Sequence, residues 1–133
     1  MADVPLPLMA TRRLAIAANL LYAVVLLTLG LISDVSRFVP VPNVPDLVAH
    51  AAAYAVQAAF LYALLLPTCG QGRAALLAAL GATLYGGVIE ASQLLQPARV
   101  FEARDLVANG VGAAMAAAIL YFATSRRSEA QGR

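Results

Sequence analysis

The sequence is short of charge and lacks two common residue types altogether. Only 12% of its residues are charged, whereas about a quarter are charged in an ordinary soluble domain. It contains no lysine and no tryptophan, and its net charge of +2 is too small for a nucleic-acid-binding surface. Cys69 is the single cysteine, so an intrachain disulfide is excluded. The phosphate-binding loop and the Gly-x-Ser-x-Gly element of soluble enzymes are also absent.

Apolar surface is what the sequence has in excess. Hydrophobic residues make up 62% of the 133-residue chain, and the mean hydropathy is +0.79. A fold of this size cannot bury so much apolar surface, because small folds bury the smallest fraction of their surface. Lipid is the environment that accepts the remainder. The composition therefore predicts an integral membrane protein, with residues 1–133 forming a single domain.

Four apolar segments are long enough to cross a bilayer, which requires roughly 20 helical residues. They are residues 14–33, 47–66, 74–95 and 105–123. Proline and glycine mark the connections, including a second loop at residues 67–73, and the polar tail after Ser125 is expected to fray. The sequence therefore predicts an all-α, four-helix transmembrane bundle. A cleaved signal peptide is the alternative for the first segment, but no small-x-small cleavage site follows it.

The placement of arginine predicts the orientation, because short cytoplasmic loops carry an excess of positive residues. One side of the predicted bundle carries Arg12, Arg13, Arg73, Arg126, Arg127 and Arg133. The opposite side carries Arg37, Arg99 and Arg104. The side with more arginine is expected to be cytoplasmic, which places both the N and the C terminus inside the cell.

Polar residues within the helices gather near the outer, extracytoplasmic ends. With a rise of 1.5 Å per residue, they fall within about 10 Å of depth. Glu90 is the most informative, because an acid within a membrane is kept only where it is paired, hydrated or functional. Ala78, Ala82 and Gly86 form a stripe of small residues below Glu90. Such a stripe allows close helix contact in lipid, so we expect this face to point into the bundle.

These polar residues divide into two groups of candidates. Groups that could act as general acid or base are His50, Glu90 and Asp105. Residues that could bind a ligand are Tyr54, Gln93, Arg99 and Asn109. Arg99 suits either an anionic head group or an ion pair inside the protein.

Structural roles remain open for several candidates. Asp105 could simply cap the fourth helix, because aspartate is a favoured capping residue. Asn109 and Gln93 could hydrogen-bond neighbouring helices, and His50 could do the same. No metal and no cofactor is expected, because the sequence has no close pair of ligands such as His-x-x-x-His.

Four ordered elements carry a resemblance to a known family. They are Asp46, His50 and Tyr54; Glu90 and Gln93; Pro97 and Arg99; and Asp105, Asn109 and Gly112. In this order and spacing, residues 46–112 resemble the VanZ-like membrane protein family. Two positions depart from the family pattern: Leu47 replaces a common lysine, and Gln57 stands where an apolar residue is usual.

The resemblance implies a small multi-pass protein of the bacterial inner membrane and cell envelope. One member of the family is linked to antibiotic resistance, namely to resistance against the glycopeptide teicoplanin. It predicts binding of a lipid-linked or glycopeptide-type amphiphile at the outer leaflet. The expected partners are membrane lipids and a lipid-linked cell-wall precursor or glycopeptide; no nucleic acid is expected, and an oligomer remains open. Two alternatives stand beside it. One is a membrane enzyme using Glu90 or His50 as acid or base on a lipid-linked substrate, and the other is a structural or partner-binding bundle.

Overall fold

The computed structural model describes residues 6–32, 44–97 and 100–131, and its regular structure there is entirely α-helical. The helices are α1 (Leu6–Leu31), α2 (Asp46–Cys69), α3 (Gln71–Gln93) and α4 (Ala103–Gln131). Each contains a stretch long and apolar enough to cross a membrane. The predicted four-helix architecture is confirmed, and the chain is a multi-pass membrane protein.

The predicted second loop is wrong, because the helices continue through most of residues 67–73. Pro67 lies inside the last turns of α2, and Gly70 alone separates α2 from α3. Gly70 has φ +76°, a left-handed conformation that glycine adopts without a Cβ penalty. Its backbone N–H still donates to the Leu66 carbonyl, 3.3 Å away. The single residue Gly70 thus reverses the direction of the chain between α2 and α3.

The predicted frayed tail is also helical. α4 continues to Gln131, eight residues beyond the predicted end at residue 123. The Gln71 amide at the start of α3 donates to the Ser128 hydroxyl at 2.9 Å and accepts from Ser125, also at 2.9 Å. These bonds join the extension to the α2–α3 turn. Apolar length alone missed this part of the helix, because its residues are polar.

Three helices form the centre of the bundle: α2, α3 and α4 each pack against the other two, while α1 packs on α2 and α3. The side chains at the centre are small; those with no exposed surface include Ala58, Ala74, Ala78, Ala82 and Ala113. Small residues let helix backbones approach closely where lipid supplies no hydrophobic driving force. The predicted stripe below Glu90 is confirmed as an interior face.

The backbones of α2 and α4 approach closely at Gly112. A Cβ on Gly112 would overlap the backbone carbonyl of Ala51. Only a residue without a side chain fits between the two backbones at this position. The contact fixes the distance between α2 and α4 one turn from the polar residues at their adjacent ends.

Polar contacts also join α1 to the other helices, and the sequence interpretation missed them. The Gln57 amide donates to Asn19 Oδ1 at 3.2 Å, and both residues are buried. The Tyr85 hydroxyl donates to the Ala23 carbonyl at 2.6 Å, and Tyr22 donates to the Ala53 carbonyl at 3.0 Å. Gln57, which departs from the family pattern, therefore pairs with α1 instead of joining His50.

Candidate functional site

His50 and Asn109 form a direct contact between α2 and α4. Their Nδ1 and Oδ1 atoms are 3.0 Å apart, and Asn109 has no exposed surface. An amide oxygen can only accept a hydrogen bond, so His50 Nδ1–H is the donor. The other ring nitrogen, Nε2, then carries a free electron pair when the imidazole is neutral. The sequence predicted that these two residues lie at a similar depth in the membrane, and in the structure they are in contact.

The free imidazole nitrogen of His50 lies beside two carboxylates. His50 Nε2 is 3.7 Å from Asp105 Oδ2 and 3.9 Å from Asp46 Oδ1. Asp105 is 6% exposed, and its Oδ1 has no hydrogen-bond partner among the described residues. It is the third residue of α4, so it lies inside the helix and not at the N-cap position. Its side chain therefore faces the space between α2 and α4.

Glu90 lies on α3 and turns toward the same space. It is 2% exposed, and its Oε2 has no hydrogen-bond partner in the described part of the chain. Electrostatic interactions link its carboxylate to Asp105 and His50. A Cβ added at Gly86, one turn below, would lie 2.7 Å from Asn109 Nδ2 and 2.9 Å from the Tyr54 ring. Of the acid, the imidazole and the amide that the sequence predicted together, His50 and Asn109 are in contact, and Glu90 lines the same cavity as His50.

The remaining binding candidates differ in position. Tyr54 is 5% exposed and lines the same space, on the stripe of α2 that carries His50. Gln93 also lines it, but its amide donates to the Gly30 carbonyl of α1 at 2.8 Å, which is the interhelical role left open above. Arg99 lies outside the described residues.

A cavity of about 360 Å³ occupies this end of the bundle. One part of its wall is acidic, with Asp46, Glu90, Glu102 and Asp105 contributing carboxylates. Much of the rest is apolar and comes from all four parts around the cavity: Leu26 and Leu29 of α1, Ala49 and Ala53 of α2, Ile89 of α3 and Val100 of the α3–α4 connection. The cavity therefore joins a hydrogen-bond-accepting head region to a hydrocarbon surface.

Asp46 and Glu102 are cavity residues that the sequence interpretation did not place in the site. The i,i+4 spacing of Asp46 and His50 puts both on one helix face, and this was the signal available in the sequence. Glu102 also pairs with Arg104 at the surface, where the carboxylate and guanidinium atoms are 2.7 Å apart. Asp46, His50 and Asp105 are the described residues whose donor atoms are close enough to share a metal ion.

Comparison with protein families gave a match. The family model described as VanZ/LLP1 matches residues 20–124, which contain all four sequence elements and the whole cavity wall. Neither the comparison with curated proteins nor the comparison with solved structures gave a match. The match extends over most of the chain, from within α1 to within α4. This protein belongs to the VanZ/LLP1 family.

Proposed function

We propose that the protein binds an amphiphile at the outer boundary of the bacterial cytoplasmic membrane, with the head group in the acidic cavity. The observation that carries this proposal is the mixed lining of the cavity. The buried carboxylates of Glu90 and Asp105 line it together with apolar side chains such as Leu26 and Ile89. A molecule with a polar head and a hydrocarbon tail satisfies both parts at once.

The chemistry of the wall restricts the head group. Carboxylates accept hydrogen bonds, so they favour hydroxyl and amino groups, and charge-assisted bonds of this kind are the strong ones. A lipid-linked cell-wall precursor offers amino sugars and a peptide beside an isoprenoid chain. An acylated glycopeptide offers the same combination of sugar, amine and hydrocarbon. Binding of either ligand type would give the protein a role in the cell envelope and in resistance to glycopeptides.

The orientation belongs to the proposal: the cavity faces outward, and both termini are cytoplasmic. We expect a membrane-impermeant maleimide to label Val44→Cys in intact cells, and to label Thr68→Cys only after lysis, with Cys69→Ser in both variants. Val44 lies at the cavity end and Thr68 at the α2–α3 turn, and both are exposed. Parallel labelling with a permeant maleimide is the control. The opposite labelling pattern would place the cavity on the cytoplasmic side.

Glu90→Gln should reduce the amount of amphiphile that co-purifies with the protein about tenfold. The substitution keeps the volume but removes the charge, and a hydrogen bond to a charged group contributes about 1.5–3 kcal/mol. A difference of 1.4 kcal/mol corresponds to a factor of about ten in binding. Lipid extraction and mass spectrometry of protein purified at equal yield would measure the change.

The matched control is Glu129→Gln, which removes an exposed acid at the opposite end of α4. It should retain the same amphiphile as the wild type. Glycopeptide susceptibility of cells expressing each variant at equal level gives a second readout. Equal lipid content and equal protection for Glu90→Gln and Glu129→Gln would refute the binding role.

Catalysis on the bound amphiphile is a second candidate function. It is favoured by the unpartnered Glu90 Oε2 and by His50 Nε2 on one cavity wall, since acid–base catalysis needs such groups within hydrogen-bonding reach of the substrate. Release of a head group from a lipid panel, lost in Glu90→Gln, would identify an enzyme. Retention of intact lipid without turnover would identify a binding protein.

A further inference from the structure

Three side chains at the cavity end of the bundle bring metal-binding atoms together. Asp46 and His50 lie one turn apart on α2, and Asp105 reaches them from the first turn of α4. Their donor atoms all lie within 4.8 Å of one another. The sequence predicted no metal site, because these ligands come from two helices whose contact the sequence does not specify.

The orientation of His50 matches that of a metal ligand. In metal sites the ligating histidine donates its other N–H to an oxygen, which fixes the tautomer and directs the free nitrogen to the ion. Here Asn109 Oδ1 accepts that bond at 3.0 Å. His50 Nε2 therefore points its electron pair toward Asp46 and Asp105, an arrangement that is repulsive unless a positive charge lies between them.

Among the described residues around these three side chains, negative charges outnumber positive ones. Asp105 is 6% exposed with Oδ1 unpartnered among the described residues, and the 2%-exposed Glu90 has an unpartnered Oε2 on the same cavity. The Arg104 guanidinium pairs with Glu102 at 2.7 Å. Buried carboxylates without partners are costly, so a cation at this position is favoured.

We propose that Asp46, His50 and Asp105 bind one divalent first-row transition-metal ion of the zinc type. Bonds of about 2.1 Å in a tetrahedral site place ligand atoms roughly 3.4 Å apart. The separations of 3.7 and 3.9 Å from His50 Nε2 close to that value with shifts of a few tenths of an ångström. The donor atoms of Asp46 and Asp105 lie within 4.8 Å of each other, and the exposed Asp46 side chain can swing toward the ion. Because one ligand is an imidazole, zinc is favoured over manganese, calcium or magnesium.

Three protein ligands leave a coordination position open toward the cavity, as in zinc sites that hold water or substrate. The open position would also accept a phosphate oxygen, which the acidic wall would otherwise repel. This last consequence rests on the proposed amphiphile binding, whereas the metal site does not. Metal binding is therefore measured without added lipid, so that the two proposals can fail separately.

The test uses the full chain without a polyhistidine tag, stripped with EDTA in detergent and titrated with Zn²⁺. We expect one Zn²⁺ per chain in the wild type. Asp105→Asn and His50→Ala should weaken binding at least tenfold, and Asn109→Ala should weaken it about tenfold through the orientation of His50. Parallel titrations with Mn²⁺, Mg²⁺ and Ca²⁺ define the class of ion. Tighter binding of Ca²⁺ or Mg²⁺ than of Zn²⁺ would overturn the assignment.

Glu129→Gln is the matched control and should bind Zn²⁺ as the wild type does. The visible spectrum of the Co²⁺-substituted wild type gives a readout that does not depend on a variant folding correctly. Imidazole and carboxylate ligation should give d–d absorption bands that one equivalent of Zn²⁺ abolishes. Absence of these bands would overturn the metal site. Equal Zn²⁺ affinity in the wild type and Asp46→Asn would overturn the assignment of Asp46 as a ligand.

Discussion

Replacing Gly112 with alanine should lower the free energy of unfolding by about 3 kcal/mol, the upper part of the usual range for overpacking. The added Cβ would overlap the backbone carbonyl of Ala51. A backbone atom cannot move aside as the end of a flexible side chain can, so α2 and α4 must separate. Because His50 and Asn109 meet one turn away, the same separation should also open the cavity.

Gly72→Ala is the matched control, since a Cβ at Gly72 meets nothing within 4 Å. Heating the purified protein with a thiol-reactive dye would report unfolding through the half-buried Cys69. We expect the midpoint of Gly112→Ala to fall by roughly 10 °C and that of Gly72→Ala to stay near the wild type. Equal midpoints for the two variants would mean that α2 and α4 are not held at this contact.

Hydropathy predicted the helices well but not their ends. The bilayer-length rule locates apolar residues, so it found the cores of all four helices. It could not detect that α4 continues past residue 123, because Ser125 and Ser128 continue the helix through bonds to Gln71. Nor could it detect the turn at Gly70, since proline at position 67 indicated a loop. Polar tertiary contacts decide these ends, and they are not a property of one segment.

Only part of the site could be predicted from the sequence, because its contacts also join different helices. Periodicity placed Glu90 above small residues, and this was enough to predict that it faces inward. Periodicity along one helix cannot say which residue on another helix lies opposite. The contact between Asn19 and Gln57 and the approach of Asp46 to Asp105 were therefore missed. The predicted role of Arg99 remains untested, since Arg99 lies outside the described residues.

Asn109→Ala should lower the free energy of unfolding by about 2 kcal/mol, because it leaves the His50 Nδ1–H without its acceptor. Glu90→Gln should not lower stability, since it conserves shape and removes a costly charge. Thermal unfolding in detergent, followed through Cys69, measures both.

Stability and ligand retention together separate the competing functions of the polar cluster. If Asn109 serves only to hold α2 against α4, Asn109→Ala loses stability and Glu90→Gln keeps its lipid. If the cluster serves a ligand, Glu90→Gln loses lipid while it unfolds at the same temperature as the wild type. The second outcome is expected, because Glu90 Oε2 and Asp105 Oδ1 have no hydrogen-bond partner among the described residues and can therefore bind a ligand.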